Sequence, residues 1–179
     1  MKRALVVIDM QNDFIDGALG SPQAQAIVSN VIEKIQDHQK SGNVIIFTRD
    51  THQPNYLQTQ EGQNLPVPHC IEGTPGWQIS DAIASIVHLP SCPIFNKGGF
   101  GSLELAQHLS RESCDEIELI GLVSSICVIS NALLIKVFAP ETKIVVDAAC
   151  TAGVADEDYK ASLCVMKMCH VHVLNEERS

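Results

Sequence analysis

One thiol, one ammonium and a set of carboxylates and imidazoles could do chemistry together in this chain. Cys127 follows Gly121-Leu122-Val123-Ser124-Ser125-Ile126, at a predicted turn from a strand into an apolar helix. A helix N-terminus offers unpaired N–H groups and positive potential, which stabilise a thiolate and lower its pKa from about 8.5. The same N–H groups can hold an oxyanion. A nucleophilic thiol needs a proton acceptor, and its leaving group needs a donor. Asp9 is the best acceptor candidate, because a carboxylate that closes the apolar run Ala4–Ile8 is costly to bury without a use. Asp13 and Asp16 stand further from that run and suit caps or turns. Lys97 adds a cation beside Gly98 and Gly99, a pair that lets backbone approach a ligand closely. The bland alternatives are a core thiol, a turn carboxylate and a surface lysine.

A second cluster has the composition of a metal site. Asp50 and His52 are two apart, so in an extended segment they point the same way. Glu61 and His69 follow in the same stretch, with Cys70 as a weaker donor. Two imidazoles and two carboxylates suit a divalent ion such as zinc, manganese or iron. The alternative is a solvated polar loop.

These residues need a frame, and the hydrophobic pattern predicts one. Ala4–Ile8 reads as a strand buried on both faces. Ser21 caps a helix expected from Pro22 to Lys40, with Gly42 just past its end. Further strands are expected at Val44–Thr48, Pro93–Phe95, Glu116–Leu122, Lys143–Val146 and His170–Leu174. Further helices are expected at Trp77–Val87, Ser102–Ser110, Ser125–Phe138 and Asp156–Met168, the fourth of the five apolar nearly all round and therefore buried. Residues 49–76 form a long irregular stretch rich in proline, of a length that is usually functional. Asn175–Ser179 is a polar tail. Strands alternating with helices imply an α/β fold with an open parallel sheet covered on both faces. Ligands in such sheets bind beyond the carboxyl ends of the strands. Asp9, Asp50, His52, Lys97 and Cys127 all stand just after predicted strands. Their convergence on one rim is the strongest signal in the residues themselves. Bringing Lys97 beside Cys127 also requires a particular strand order.

Composition narrows the partners. The chain has 179 residues, 45% of them hydrophobic, which is enough for one domain with a core that needs no disulfides. Its net charge of −9, without a basic cluster beyond Lys2-Arg3, argues against nucleic acid and anionic membranes. No apolar run reaches the roughly 18 residues of a membrane span, and the first run is too soon broken for a signal peptide. The cytoplasm is the expected compartment. Seven cysteines, an odd number with no C-x-x-C, suit free thiols in a reducing compartment.

The ordered motifs resemble a known family. Ala4-Leu-Val-Val-Ile-Asp-Met-Gln-Asn-Asp-Phe14 is similar to the opening of the isochorismatase-like cysteine hydrolases. Thr48-Arg-Asp-Thr-His52, Pro68-His-Cys-Ile-Glu-Gly-Thr74, Phe95-Asn-Lys97, Gly121-Leu-Val-Ser-Ser-Ile-Cys-Val128 and Asp147-Ala-Ala-Cys-Thr-Ala-Gly153 continue the match in order. Within the superfamily, the chain most resembles the nicotinamidase branch. The resemblance implies a three-layer α/β/α fold with a six-stranded parallel sheet ordered 3-2-1-4-5-6. It implies a catalytic triad of Asp9, Lys97 and Cys127 and a thioester route to amide hydrolysis. It implies a cis peptide at Leu122-Val123, with an oxyanion hole from the N–H groups of Val123 and Cys127. It also implies a metal set of Asp50, His52, Glu61 and His69, holding zinc first, or iron or manganese, against the pyridine nitrogen of a small amide. Family members are often dimers or tetramers, which makes a homo-oligomer one expectation.

Two departures stand out. The family's frequent Thr-Asp-x-Cys is Ser124-Ser125-Ile126-Cys127 here. A Trp common shortly before the second metal histidine is replaced by Leu65-Pro66-Val67-Pro68. Phe14, Phe100 and Tyr56 are the aromatic residues expected to wall the substrate instead, while Trp77 lies past the loop and suits a structural role. Alternatives within the same fold are hydrolysis of another small amide or carbamoyl compound, and a non-catalytic binding module.

Overall fold

The computed structural model describes residues 2–176. Six strands carry the architecture: β1 (Arg3–Ile8), β2 (Val44–Asp50), β3 (Ile94–Lys97), β4 (Glu116–Leu122), β5 (Lys143–Ala152) and β6 (His172–Leu174). They form one sheet in the order β3-β2-β1-β4-β5-β6, and each neighbouring pair is parallel. The expected order and the parallel sheet are both observed. The register sets the site's geometry directly, because Asp50 of β2 lies opposite Lys97 of β3 and Ile8 of β1 opposite Gly121 of β4.

Helices cover both faces. On one side lie α1 (Asn12–Ile15), α2 (Pro22–Ala26), α3 (Val28–Lys40) and α5 (Asp81–Ala84), with α4 (Gln60–Asn64) in the long β2–β3 connection. On the other side lie α6 (Leu103–Arg111), α7 (Ile129–Phe138) and α8 (Asp156–Met168). Strand β1 shows how two cores arise from one run. Ala4, Val6 and Ile8 pack with α6, α7 and α8, while Leu5 and Val7 pack with α3 and α5. Alternate side chains point to opposite faces, so a strand covered on both sides must be apolar at every position.

Several elements differ from the sequence-based expectation. The helix expected over residues 22–40 is interrupted at Ile27, whose N–H turns back to the Gln25 carbonyl. The apolar spacing runs straight through this break, so periodicity alone does not reveal it. Only Asp81–Ala84 of the helix expected over residues 77–87 is helical, and β2, β3 and β5 run on past their expected ends. Residues 49–76 are not structureless: a 3₁₀ turn at Tyr56–Gln58 and helix α4 fold back against each other. At Gly62 in α4, a Cβ would lie 2.1 Å from the Tyr56 carbonyl oxygen, so the close approach admits only glycine. Ser125–Phe138 is also not one buried helix. A π-helical turn (Ser124–Val128) precedes α7, and Val137 and Phe138 at its far end are exposed. An outer-layer helix keeps a solvent-facing side whatever its composition. Residues 177–179 of the expected polar tail lie outside the described residues. All seven cysteines are free thiols, four of them buried.

Beneath α3 lies a buried ionic network that the site does not use. Lys34 of α3 sits 2.8 Å from Glu118 of β4 and 2.7 Å from Asp147 of β5. His38 lies 3.0 Å from Glu118, and the Asn175 amide donates to both Asp147 oxygens. Burial disfavours the Glu118 carboxylate, but hydrogen bonds from His38 and Lys34 outweigh it and hold its pKa down at about 2, from an ordinary 4.5. A carboxyl depressed by folding stabilises the fold above its unfolded pKa, and that contribution disappears as pH falls through the folded value. Glu118→Gln should therefore cost about 2–3 kcal/mol at neutral pH. The difference from wild type should shrink below pH 4.5 and vanish near pH 2, as read by urea unfolding across that range.

Candidate active site

The carboxyl ends of β1, β2, β3 and β4 meet at one rim, and four expected residues meet there with them. Lys97, the last residue of β3, is buried, with its ammonium 2.7 Å from Asp9 Oδ2 and 3.3 Å from Asp50 Oδ1. It also donates to the Gly99 carbonyl at 3.1 Å and stands 3.4 Å from Cys127 Sγ. One cation thus touches the carboxylate, the thiol and the neighbouring acidic cluster. Asp9 leaves β1 with a positive φ of 47°, a conformation that costs a residue other than glycine about 1 kcal/mol. Its Oδ1 accepts from the Thr48 hydroxyl at 2.6 Å, and its N–H donates to the same hydroxyl at 3.1 Å. Beside it, Gly121 has φ 110°, and a Cβ there would sit 2.1 Å from the Ile8 carbonyl. Only glycine lets β4 pass β1 this closely just before both strands deliver their functional residues.

Cys127 sits in the π-helical turn ahead of α7, directly after a cis peptide between Leu122 and Val123. Asn131, fully buried one turn on, donates to the Cys127 carbonyl at 2.8 Å and the Phe100 carbonyl at 3.1 Å, and accepts from the Ser102 N–H at 3.0 Å. It ties the Cys127 turn to the segment that follows Lys97. Neither Thr48 nor Asn131 is singled out by the sequence. For Thr48 a signal exists: it shares a strand face with Asp50 and is the one polar residue closing an apolar run.

The electrostatics differ from the simple helix-terminus expectation. Burial pushes the Cys127 thiol well above its ordinary pKa, and Asp9 and Asp50 push it further, against the pull of Lys97. Burial also raises the Asp9 carboxyl, opposed chiefly by Lys97. Burial alone would lower Lys97, yet Asp9, Cys127 and Asp50 together hold it well above the usual lysine range. Burial and the neighbouring carboxylates thus favour the protonated thiol, beside a lysine–aspartate pair 2.7 Å apart. Lys97 bridges the two groups, 2.7 Å from the Asp9 carboxylate and 3.4 Å from the Cys127 sulfur.

Asp50, His52, Glu61 and His69 form the second half of the site. One donor atom from each lies within 4.8 Å of all the others. His52 Nε2 is 2.9 Å from Asp50 Oδ2 and 3.6 Å from Glu61 Oε1; His69 Nε2 is 3.5 Å and 3.9 Å from the same two atoms. His69 Nδ1 lies 2.8 Å from the Val67 carbonyl, which directs Nε2 toward the cluster. An imidazole that donates one ring N–H to a backbone carbonyl presents the other nitrogen as a ligand. The donor set, its convergence and this orientation all fit a divalent ion. Burial would raise the Asp50 carboxyl, but hydrogen bonds from His52 and His69 and the charge of Lys97 hold it well below the usual carboxylate range. The Gln11 side chain fixes Asp50 from behind, accepting from the Asp50 N–H at 2.7 Å and donating to its carbonyl at 2.9 Å. Cys70 is fully buried, with its N–H bonded to Asp13, and is not part of the cluster.

A cavity of about 550 Å³ opens over both halves, lined at its reactive end by Asp50, Glu61, His69 and Cys127. Val123, the other expected oxyanion-hole residue, lines it as well. Of the three expected wall aromatics, Phe14 and Phe100 line the cavity and Tyr56 does not. Tyr56 is buried behind the cluster, its ring 4.7 Å from His52 and 5.0 Å from His69, with its hydroxyl donating to the Leu65 carbonyl. It supports the two imidazoles instead of facing a ligand. Trp77 has the expected structural role, stacked under Arg49 and bonded to Thr51.

Known proteins share the fold and about a quarter of the sequence. The nicotinamidase/pyrazinamidase of Mycobacterium tuberculosis is 27% identical over 96% of this chain and 98% of its own. The pyrazinamidase/nicotinamidase of Streptococcus mutans superposes with a TM-score of 0.85 at 26% identity, covering 97% of this chain and all of that one. The pyrazinamidase of Pyrococcus horikoshii, solved in complex with zinc, superposes with a TM-score of 0.80 at 25% identity over 97% and 99% of the two chains. The family model for the isochorismatase domain matches residues 3–178. With that match spanning nearly the whole chain, the protein belongs to the isochorismatase family.

Proposed function

We propose that the protein is a cysteine amidohydrolase that converts nicotinamide and water to nicotinate and ammonia. The observation that carries this is the shared ammonium: Lys97 joins Asp9 and Cys127 to Asp50, one of four converging metal donors, and Cys127 and Asp50 line a single cavity. The similarity to nicotinamidases and pyrazinamidases supports the same substrate class.

The steps follow from the neighbours of each group. Asp9 takes the Cys127 proton as sulfur attacks the amide carbonyl, so a free thiolate beside two carboxylates never accumulates. The carbonyl oxygen gains negative charge, which the N–H groups of Val123 and Cys127 receive. The tetrahedral adduct collapses, the C–N bond breaks, and Asp9 returns the proton to nitrogen as ammonia leaves. Water then attacks the thioester with Asp9 as base; the C–S bond breaks and sulfur regains its proton. Lys97 holds Asp9 in place and offsets charge as it shifts between carboxylate and sulfur. Asp50, His52, Glu61 and His69 would hold a divalent ion, with zinc the first choice, and that ion would supply a Lewis-acid contact that orients a ring nitrogen. Phe14 and Phe100 flank the ring.

Ammonia release from nicotinamide tests the proposal. The wild type should turn over, and Cys127→Ala should lose at least about 10³-fold in kcat/KM, with Asp9→Asn close behind. Absence of release from well-folded, metal-analysed protein would overturn the substrate assignment. Elemental analysis should find close to one divalent ion per chain, lost in His69→Ala. Chelation should raise KM for nicotinamide more than it lowers kcat, and benzamide, which has no ring nitrogen, should be the poorer substrate by tenfold or more.

A further inference from the structure

The cavity is larger than a single heteroaromatic ring requires. A cavity of about 150 Å³ is enough to hold benzene, whereas this one measures about 550 Å³. Its lining is also mixed in chemistry: Asp50, Glu61 and His69 are charged or titratable, whereas Leu19, Leu65, Phe100, Ile126 and Val154 are apolar, and Gln60 and Asn64 add side-chain amides. Leu65, Phe100 and Val154 are large apolar residues left 38%, 49% and 65% exposed, an arrangement that a bound apolar group would relieve. Among the described residues no lysine or arginine lines the cavity, so an anionic substituent would lose its hydration without gaining a cation.

Resting on the amide-hydrolase reading, we propose that the preferred substrates are heteroaromatic amides whose ring carries a neutral, apolar substituent, received by the wall that Leu65 and Val154 form. The carboxamide and ring nitrogen would occupy the reactive end, leaving the substituent to fill the remaining volume. Leu65 comes from the end of α4, next to the segment that carries Glu61, and Val154 from the loop between β5 and α8. The two residues therefore close the wall from separate parts of the chain. Both side chains are apolar and carry no group that could exchange a proton, so they would act on fit.

The test compares kcat/KM for nicotinamide, 5-phenylnicotinamide and 5-carboxynicotinamide. The 5-position leaves both carbons beside the ring nitrogen unsubstituted. The phenyl compound should match or exceed nicotinamide, and the carboxy compound should fall at least tenfold below it. In Leu65→Trp and Val154→Phe the phenyl-to-nicotinamide ratio should drop about tenfold. That ratio is internal to each preparation, so partial misfolding cannot produce the drop. Turnover of nicotinamide with at least tenfold weaker turnover of the phenyl compound would overturn the inference and leave the hydrolase reading standing. A ratio unmoved in both variants would overturn the assignment to Leu65 and Val154, and equal use of the carboxy compound would overturn the neutral class. Were neither nicotinamide nor the phenyl compound hydrolysed, the nicotinamide assignment would fail, and calorimetric binding of the two amides to Cys127→Ala would decide the inference separately. Binding of the phenyl compound at least as tight as nicotinamide would uphold it, and weaker binding would overturn it.

Discussion

A buried ammonium must be surrounded by negative charge and acceptors, or it would surrender its proton or unfold the region around it. Lys97 meets that demand with Asp9 at 2.7 Å, Asp50 at 3.3 Å and the Gly99 carbonyl at 3.1 Å, and with the Cys127 sulfur at 3.4 Å. These partners come from the ends of four different strands, so the arrangement exists only where β3, β2, β1 and β4 are consecutive neighbours. Remove the cation and two carboxylates face each other without compensation, with burial already pushing Asp9 toward neutrality. The topology of the sheet and the protonation of the site are thus one constraint. Glycine at position 121, where β4 passes the Ile8 carbonyl, is its tightest steric expression.

Asp50 makes the two halves of the site interdependent. One of its oxygens faces the ammonium and the other faces His52 and His69. Its backbone is held on both sides by Gln11, so the carboxylate is aimed before any ligand arrives. The imidazoles are prepared similarly, with Tyr56 against both rings and the Val67 carbonyl fixing His69. Such preparation suits a site that must position a ring and a carbonyl together, because little side-chain freedom remains to be lost on binding.

Much of this was legible in the residues. Asp9, Asp50 and Cys127 stand out because each stands just after a predicted strand, and an α/β sheet sends such ends to one rim. Asp50 and His52 follow from the two-residue period of extended chain. Lys97 is harder: nothing local distinguishes it from a surface lysine, and only the strand order brings it to Asp9. Tyr56 shows where pattern fails. An aromatic in an irregular loop has no periodicity to say which way it faces, and this one turned toward the histidines instead of the cavity. The Ile27 break was hidden for the opposite reason, since the apolar spacing continues across it. The expectation of an acidified thiol considered the helix terminus alone, and burial beside two carboxylates outweighed it.

Val154 stands apart from the rest of the cavity lining. Every other lining residue lies between Phe14 and Cys127, so β5, α8 and β6 contribute only this one exposed side chain to the cavity, among the described residues. Leu65 lies between Glu61 and His69 in the chain and Ile126 beside Cys127, so most of the lining is encoded together with the ionic centre, and among the described residues Val154 alone comes from a separate stretch. Drift in its three-residue loop could therefore reshape the cavity without touching the ionic centre or the strands that assemble it.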